Sequence, residues 1–215
     1  MRNSIFDNVS LVGGASIVSN ISGSSAVNGT GVDTLGMTDG ALHVVAQIPT
    51  GSPTGASYVV ALQESPDNGV TAFAAALDNT GTAIGFTLTQ LVGATGTTAS
   101  GSNIITSMSS VAGLAVGMAI TGTGVVAGSV ITAILSTTSI QISRNATASG
   151  SVTLSFSTEG IARIEGLGVN RKRFLRAVVT PTFTGGSSPA AAVVAEIVQG
   201  GPALQLPVTS TVSNT

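Results

Sequence analysis

The stretch SYVVALQESPDNGVTAFAAAL, Ser57 to Leu77, decides how the chain is read. Its first half alternates at period two, the repeat of a strand with one face on a core. Pro66-Asp67-Asn68-Gly69 then supplies a fixed φ and residues that accept φ > 0, which a tight reversal needs. Phe73 to Leu77 reads as a returning strand, although its alanines also suit one turn of helix. The same grammar recurs outside this hairpin. In ALHVVAQIP (41–49), Leu42, Val44 and Ala46 fall on one face and His43, Val45 and Gln47 on the other. FLRAVVTPTF and AAVVAEIVQ supply two more strands, the second inside an Ala-rich run that is also compatible with a helical turn. No long stretch keeps a helical period, so the expected fold class is all-β.

Composition bounds what such a chain does. Of 215 residues, 7% are charged, 43% are hydrophobic and 28 are glycine, and the net charge is −2. That balance makes no field able to gather a polyanion or an anionic membrane. A surface so poor in charge favours association, and much of it is expected to be covered by other subunits. With no cysteine, neither a disulfide framework nor a thiolate metal site is available.

The charge is unevenly placed. Between Asp78 and Glu159 the single charged residue is Arg144. This middle opens and closes in similar turn-rich runs, GATGTTASGSN and NATASGS. It is expected to be a small β-module, residues 91–156, inserted into a host domain made of residues 33–90 and 157–208. Exposed loop tips accept such insertions because the host's strand pairing is left intact. Residues 1–32 are expected to form an N-terminal arm and 209–215 a C-terminal tail, since neither holds enough apolar pattern to fold alone. The opening MRNSIFDNVSLVGGASIVS carries Arg2 but also Asp7 and lacks a sustained apolar core, which favours an arm over a signal peptide.

Val111 to Leu135 is a run of 25 residues without a charge, long enough for a membrane span. Its Thr121-Gly122-Thr123-Gly124 interruption and the lack of flanking basic or aromatic anchors favour strand, turn and strand instead.

Chemistry-bearing residues are sparse. His43 sits in mid-strand with no sequence-level partner to make it a general base. No Gly-x-Ser-x-Gly elbow is present. Glu64 and Asp67 offer too few oxygens for a calcium loop and read as part of the hairpin. GTGVVAG resembles a phosphate-binding loop only superficially, since it lacks both the Lys and the following helix. The expectation is a protein that is not an enzyme and uses no metal and no cofactor.

One concentration of charge remains. GVNRKRFLRAVVT (168–180) contains four of the seven basic residues, Arg171, Lys172, Arg173 and Arg176. Strand geometry puts Phe174, Arg176 and Val178 on one face and Leu175, Ala177 and Val179 on the other, with Arg171 to Arg173 in the preceding turn. A nucleic-acid site would want further basic strands or an aromatic platform. Two readings stay open. The arginines grip carboxylates on a neighbouring subunit or on a different protein, or they form a solvated loop with Arg176 paired internally to Glu64 or Glu165.

Two resemblances accompany these residues. Leu62 to Glu64, Asp67, Gly69, Phe73, Arg171 to Phe174, Arg176 and Ala177 together resemble the hairpin and strand start of the head decoration, or cement, proteins of tailed bacteriophages. Separately, Thr97 to Ser143 is similar to a β-module that recurs in phage tail and other virion proteins. The resemblance implies a jelly-roll-like β-sandwich host domain with an inserted small β-module. It also implies a virion structural protein on the outer surface of the phage head, bound to the major capsid protein as a dimer or trimer. Neither nucleic acid nor membrane is an expected partner. In this picture the arm reaches a neighbouring subunit and the module projects outward. A tail or fibre component that contacts the host surface is the alternative.

Overall fold

The computed structural model describes residues 9–10, 15–35, 39–164 and 171–200. The strands, in chain order, begin with β1 (Val9–Ser10), β2 (Ala15–Ser22), β3 (Val27–Asn28), β4 (Val32–Asp33), β5 (Asp39–Ala46) and β6 (Gly55–Ser65). They continue with β7 (Ala74–Ala75), β8 (Gly85–Gln90), β9 (Val92–Thr98), β10 (Ile104–Ile105), β11 (Ala119–Gly122) and β12 (Ser129–Ser136). The last are β13 (Ser139–Ile142), β14 (Gly150–Phe156), β15 (Thr158–Ile164), β16 (Phe174–Thr184) and β17 (Ala190–Gly200). No helix occurs among the described residues, so the chain is all-β.

The outer parts of the chain build a β-sandwich. In one sheet β17 lies between β5 and the pair β1 and β2, and β15 completes the other edge. In the facing sheet β16 lies between β6 and the short β3 and β4, while β7 and β8 pair the far side of β6. The alternation read from sequence lands on the right face. Leu42, Val44 and Ala46 from the first sheet, and Tyr58, Val60, Leu62, Leu175, Ala177 and Val179 from the second, are all buried in one cluster. Each large apolar side chain so buried contributes about 1.5–3 kcal/mol.

The middle of the chain forms a sheet of its own, in the order β10-β13-β12-β11-β14-β9, around a separate core of Ile105, Ile120, Ile131, Ile140, Leu154 and Phe156. Thr97 and Thr106 exchange backbone hydrogen bonds of 2.7 and 3.0 Å between the two edge strands, closing the sheet on itself. Closure removes the exposed edges that otherwise invite aggregation. The apolar run Val111 to Leu135 is here a loop, β11, a turn and β12. No helix among the described residues is long and apolar enough to cross a membrane.

Two expectations meet different structure. The expected arm contributes β2 and β3 to the host: Ile17 and Ile21, two turns of a strand alternation hidden among serines, are buried in the host core. The returning strand after Asn68-Gly69 is only β7, because the chain folds into a second small reversal at Asp78 to Thr82 and β8 takes over most of the β6 edge. The Ala-rich runs are extended, as the strand reading expects: in the second, Ala191 and Ala195 face the core, and in the first only Ala76 is buried. The C-terminal tail (209–215) lies outside the described residues, as do residues 201–208.

Two buried polar side chains tie these layers together. Gln90, at the neck of the middle module, accepts from the Tyr58 hydroxyl at 2.7 Å and donates to the carbonyls of Gln47 at 3.1 Å and Phe156 at 2.5 Å. Burial pushes the Tyr58 phenol above its ordinary range, so it stays a donor. Ser16, on β2, bridges the sheets: its hydroxyl donates to the Thr30 carbonyl at 2.9 Å and accepts from the Ala177 amide at 2.9 Å. This occurs in the gap between β3 and β4, where β16 has no partner strand on that side. Gly29 makes the approach possible, because a Cβ there would overlap the Ser16 hydroxyl.

Gln90→Leu strands the Tyr58 hydroxyl and leaves two carbonyls short of a donor, and is expected to cost roughly 2–4 kcal/mol in urea unfolding. Ser16→Ala removes the bridge across the β3–β4 gap and is expected to cost roughly 1–3 kcal/mol in the same measurement. A loss near zero for either would mean that the groups it leaves find other partners.

Candidate functional site

The basic residues gather where one end of the sandwich is built from four segments. The end of β6, the turn after it, the end of β4 and the bend before β16 all converge there. The β6–β16 ladder sets the register: Leu62 is opposite Ala177, Gln63 opposite Arg176, and Ser65 opposite Phe174. The two separated parts of the sequence pattern, Leu62 to Phe73 and Arg171 to Ala177, are therefore physical neighbours.

Each basic side chain has its own environment. Arg171 is 5% exposed, with a guanidinium nitrogen 3.7 Å from the Glu64 carboxylate, itself 13% exposed. Glu64 lies on the core-facing side of β6, so this ion pair plugs the mouth of the sandwich. Arg173 forks onto Asp33: Nε is 3.0 and 3.1 Å from the two carboxylate oxygens and Nη2 is 2.6 Å from one. Its carbonyl accepts from the Thr34 amide at 2.8 Å and the Thr34 hydroxyl at 2.7 Å, fixing β4 to the bend. Arg176 donates twice to Gln63 Oε1, at 2.9 and 2.7 Å, and lies 4.2 Å over the Phe73 ring. Lys172 is exposed, and its ammonium group has no partner among the described residues.

Of the internal partners expected for Arg176, Glu64 is taken by Arg171, and Glu165 lies outside the described residues. The neutral Gln63 holds Arg176 instead, so its charge is not cancelled. Asp33 is a participant that the sequence did not announce, and Gln63 and Phe73, though part of the resemblance, were not paired there with Arg176. Asp33 and Phe73 are far from the arginines along the chain, and only the β4 and β6 pairings bring them near. The cross-strand match of Gln63 with Arg176 follows from a register that no local pattern encodes.

The turn between β6 and β7 is held by its own carboxylate. Asp67 accepts from the Thr71 hydroxyl at 2.7 Å, the Thr71 amide at 3.1 and 3.2 Å, and the Ser65 hydroxyl at 2.8 Å. Asn68 and Gly69 take the positive φ values of 56° and 91° expected of this reversal. The Thr71 hydroxyl, then the other donors, hold the Asp67 carboxyl below its ordinary 3.8. Thr80 does the same for Asp78, and the Arg173 guanidinium for Asp33.

His43 Nε2 is 3.7 Å from the exposed Glu159 on the outer face of the first sheet, with no nucleophile joined to the pair among the described residues. No group of three or more metal-ligating side chains occurs among the described residues. GTGVVAG is the turn between β11 and β12. In comparisons with known proteins, no family model, no curated protein and no solved structure matches this chain.

The depressed carboxyl of Asp67 gives a pH test with a definite sign. A folded pKa below the unfolded one stabilises fully above the unfolded value and is lost as pH falls through the folded value. Asp67→Asn, a neutral isostere of the protonated acid, is expected to lower the urea midpoint at pH 7. The gap to the wild type should close as the pH drops below 3.8. A gap that persists in acid would assign the loss to altered turn geometry instead of charge.

Proposed function

We propose that the chain is a non-enzymatic structural protein of a tailed-phage virion, which binds the assembled capsid lattice from outside and stabilises it as a cement protein. One observation carries this reading. The residues that resemble the cement-protein pattern form a single contiguous corner, built from adjacent strands β6 and β16, in place of two unrelated segments. The strand order adds support. The chain passes between the facing sheets from β2 to β3 and β4, then to β5, β6 and β8, and returns through β15, β16 and β17. That order supports reading the sandwich as jelly-roll-like.

The environments divide the basic residues by task. Arg171 is enclosed with Glu64 and serves the corner itself. Lys172 and Arg176, with no carboxylate partner among the described residues, give the corner positive charge to set against acidic groups on a capsid subunit. Arg173 reaches such a group only by sharing or leaving Asp33. A chain with 7% charged residues concentrates its electrostatic specificity here. Many weak contacts repeated over a symmetric lattice then add to a firm attachment.

The test is the copy number per purified virion relative to the major capsid protein, by quantitative mass spectrometry, with Arg173→Ala/Arg176→Ala measured alongside. The cement role predicts a lattice-wide simple ratio and a fall in occupancy of expanded heads for the double variant. A handful of copies would instead place the chain in the tail or at a vertex. Normal occupancy of the variant would remove the basic corner as the contact while leaving the ratio to judge the role.

A further inference from the structure

At the opposite end of β16 from the arginines, the β16–β17 hairpin and the β2–β3 turn enclose an open groove of about 660 Å³. Its chemistry is specific. No ionisable side chain lines it, which disfavours an ion as ligand. Four hydroxyl-bearing residues line it, Ser22, Ser24, Thr182 and Ser188, and none of their hydroxyls is hydrogen-bonded to another described residue. One aromatic residue lines it with them. Phe183 is half-buried and set at 85° to Tyr58 with ring centroids 6.0 Å apart, so the buried tyrosine fixes its orientation. Tyr58 is fixed in turn by Gln90.

From this arrangement we propose that the groove binds a neutral saccharide. A sugar ring offers an apolar face of C–H groups to an aromatic ring and hydroxyls around its rim, each able to donate and accept. A purely apolar ligand would cover polar groups without replacing the water they hold, which costs free energy. The volume lies within the range of small-ligand sites. The openness of the groove and the single ring make the binding weak for one sugar, so that repetition over many copies would supply avidity.

The register gives the groove a direction. Eleven residues of β16 at about 3.3 Å each separate the two ends by roughly 30 Å. Gln90 ends β8 beside Ala56, and Ala56 pairs with Phe183, so the middle module leaves the host at the groove end. A molecule attached through its arginine corner therefore turns both the groove and the module away from the attachment. The groove's chemistry does not depend on what the arginine corner binds.

Titrating the isotope-labelled full chain with neutral methyl glycosides of glucose, galactose, mannose and N-acetylglucosamine, followed by amide NMR shifts, tests the proposal. At least one is expected to give saturable shifts confined to the groove, with a dissociation constant of about 1–10 mM. Phe183→Leu, which keeps apolar bulk but removes the ring, is expected to weaken binding by about tenfold or more. Ser22→Ala/Thr182→Val, on exposed positions that leave the fold intact, should do the same. No saturable shift with any of the four sugars overturns the proposal, as does binding indifferent to both variants. Tighter binding of glucose 6-phosphate than of the neutral glycosides would overturn the assignment of a neutral ligand.

Discussion

The pairing of β6 with β16 is the constraint on which the rest of this structure rests. Eleven residue pairs run from Gly55–Thr184 to Ser65–Phe174 without a register shift. This ladder supplies the middle of one sheet and a third of the host's buried core. It also fixes which side chains meet at the arginine corner and which ring stands in the groove. Its two strands are separated in sequence by the whole middle module, so forming it means closing a long loop. The entropy of closure grows only logarithmically with length, and the module reduces it further by folding on itself. The Phe156 amide donates to the Leu91 carbonyl at 3.1 Å, holding the module's two ends side by side. To the host, the inserted sequence is then little more than a short connection between β8 and β15.

Charged groups are few in this protein, and buried polar ones mark its joints. Ser16 closes the gap left where β3 and β4 fail to cover β16, and Gln90 joins Tyr58 to both the host and the module neck. Glu64 and Arg171 close the mouth of the sandwich. Such groups cost more to leave half-satisfied than they contribute when complete. They therefore specify one arrangement of layers that valine and alanine, by themselves, would allow to slide. The same economy explains the acidic turns: Asp67 and Asp78 each collect local donors and hold a reversal that has little apolar packing of its own.

The molecule is polar along β16. One end carries positive charge that neutral Gln63 does not cancel and an ammonium group without a partner among the described residues. The other carries uncharged hydroxyls, an aromatic ring and the exit of the module. A double-ended shape suits a protein that is held at one end and presents the other. The cement reading uses the first end and the saccharide groove the second, and each rests on different residues.

Period-two alternation in Ser57 to Ser65, Ala41 to Gln47 and Phe174 to Val179 determined the strands, the buried faces and the all-β class, because burial of alternate side chains is a local property of the chain. The abrupt loss of charge between Asp78 and Glu159 marked the stretch that builds its own sheet and core. Proline and the Asn-Gly pair determined the turn after β6. The sequence could not show that Ile17 and Ile21 belong to the host, since β2 is recognisable as a strand only beside β17. Nor could it show that Gln63, Asp33 and Phe73 would hold Arg176 and Arg173, or that Ser22, Ser24, Thr182 and Ser188 would line one groove with Phe183. Those partnerships were decided by the tertiary structure alone, because cross-strand register and the packing of two sheets set them, and neither is written in any residue's near neighbours.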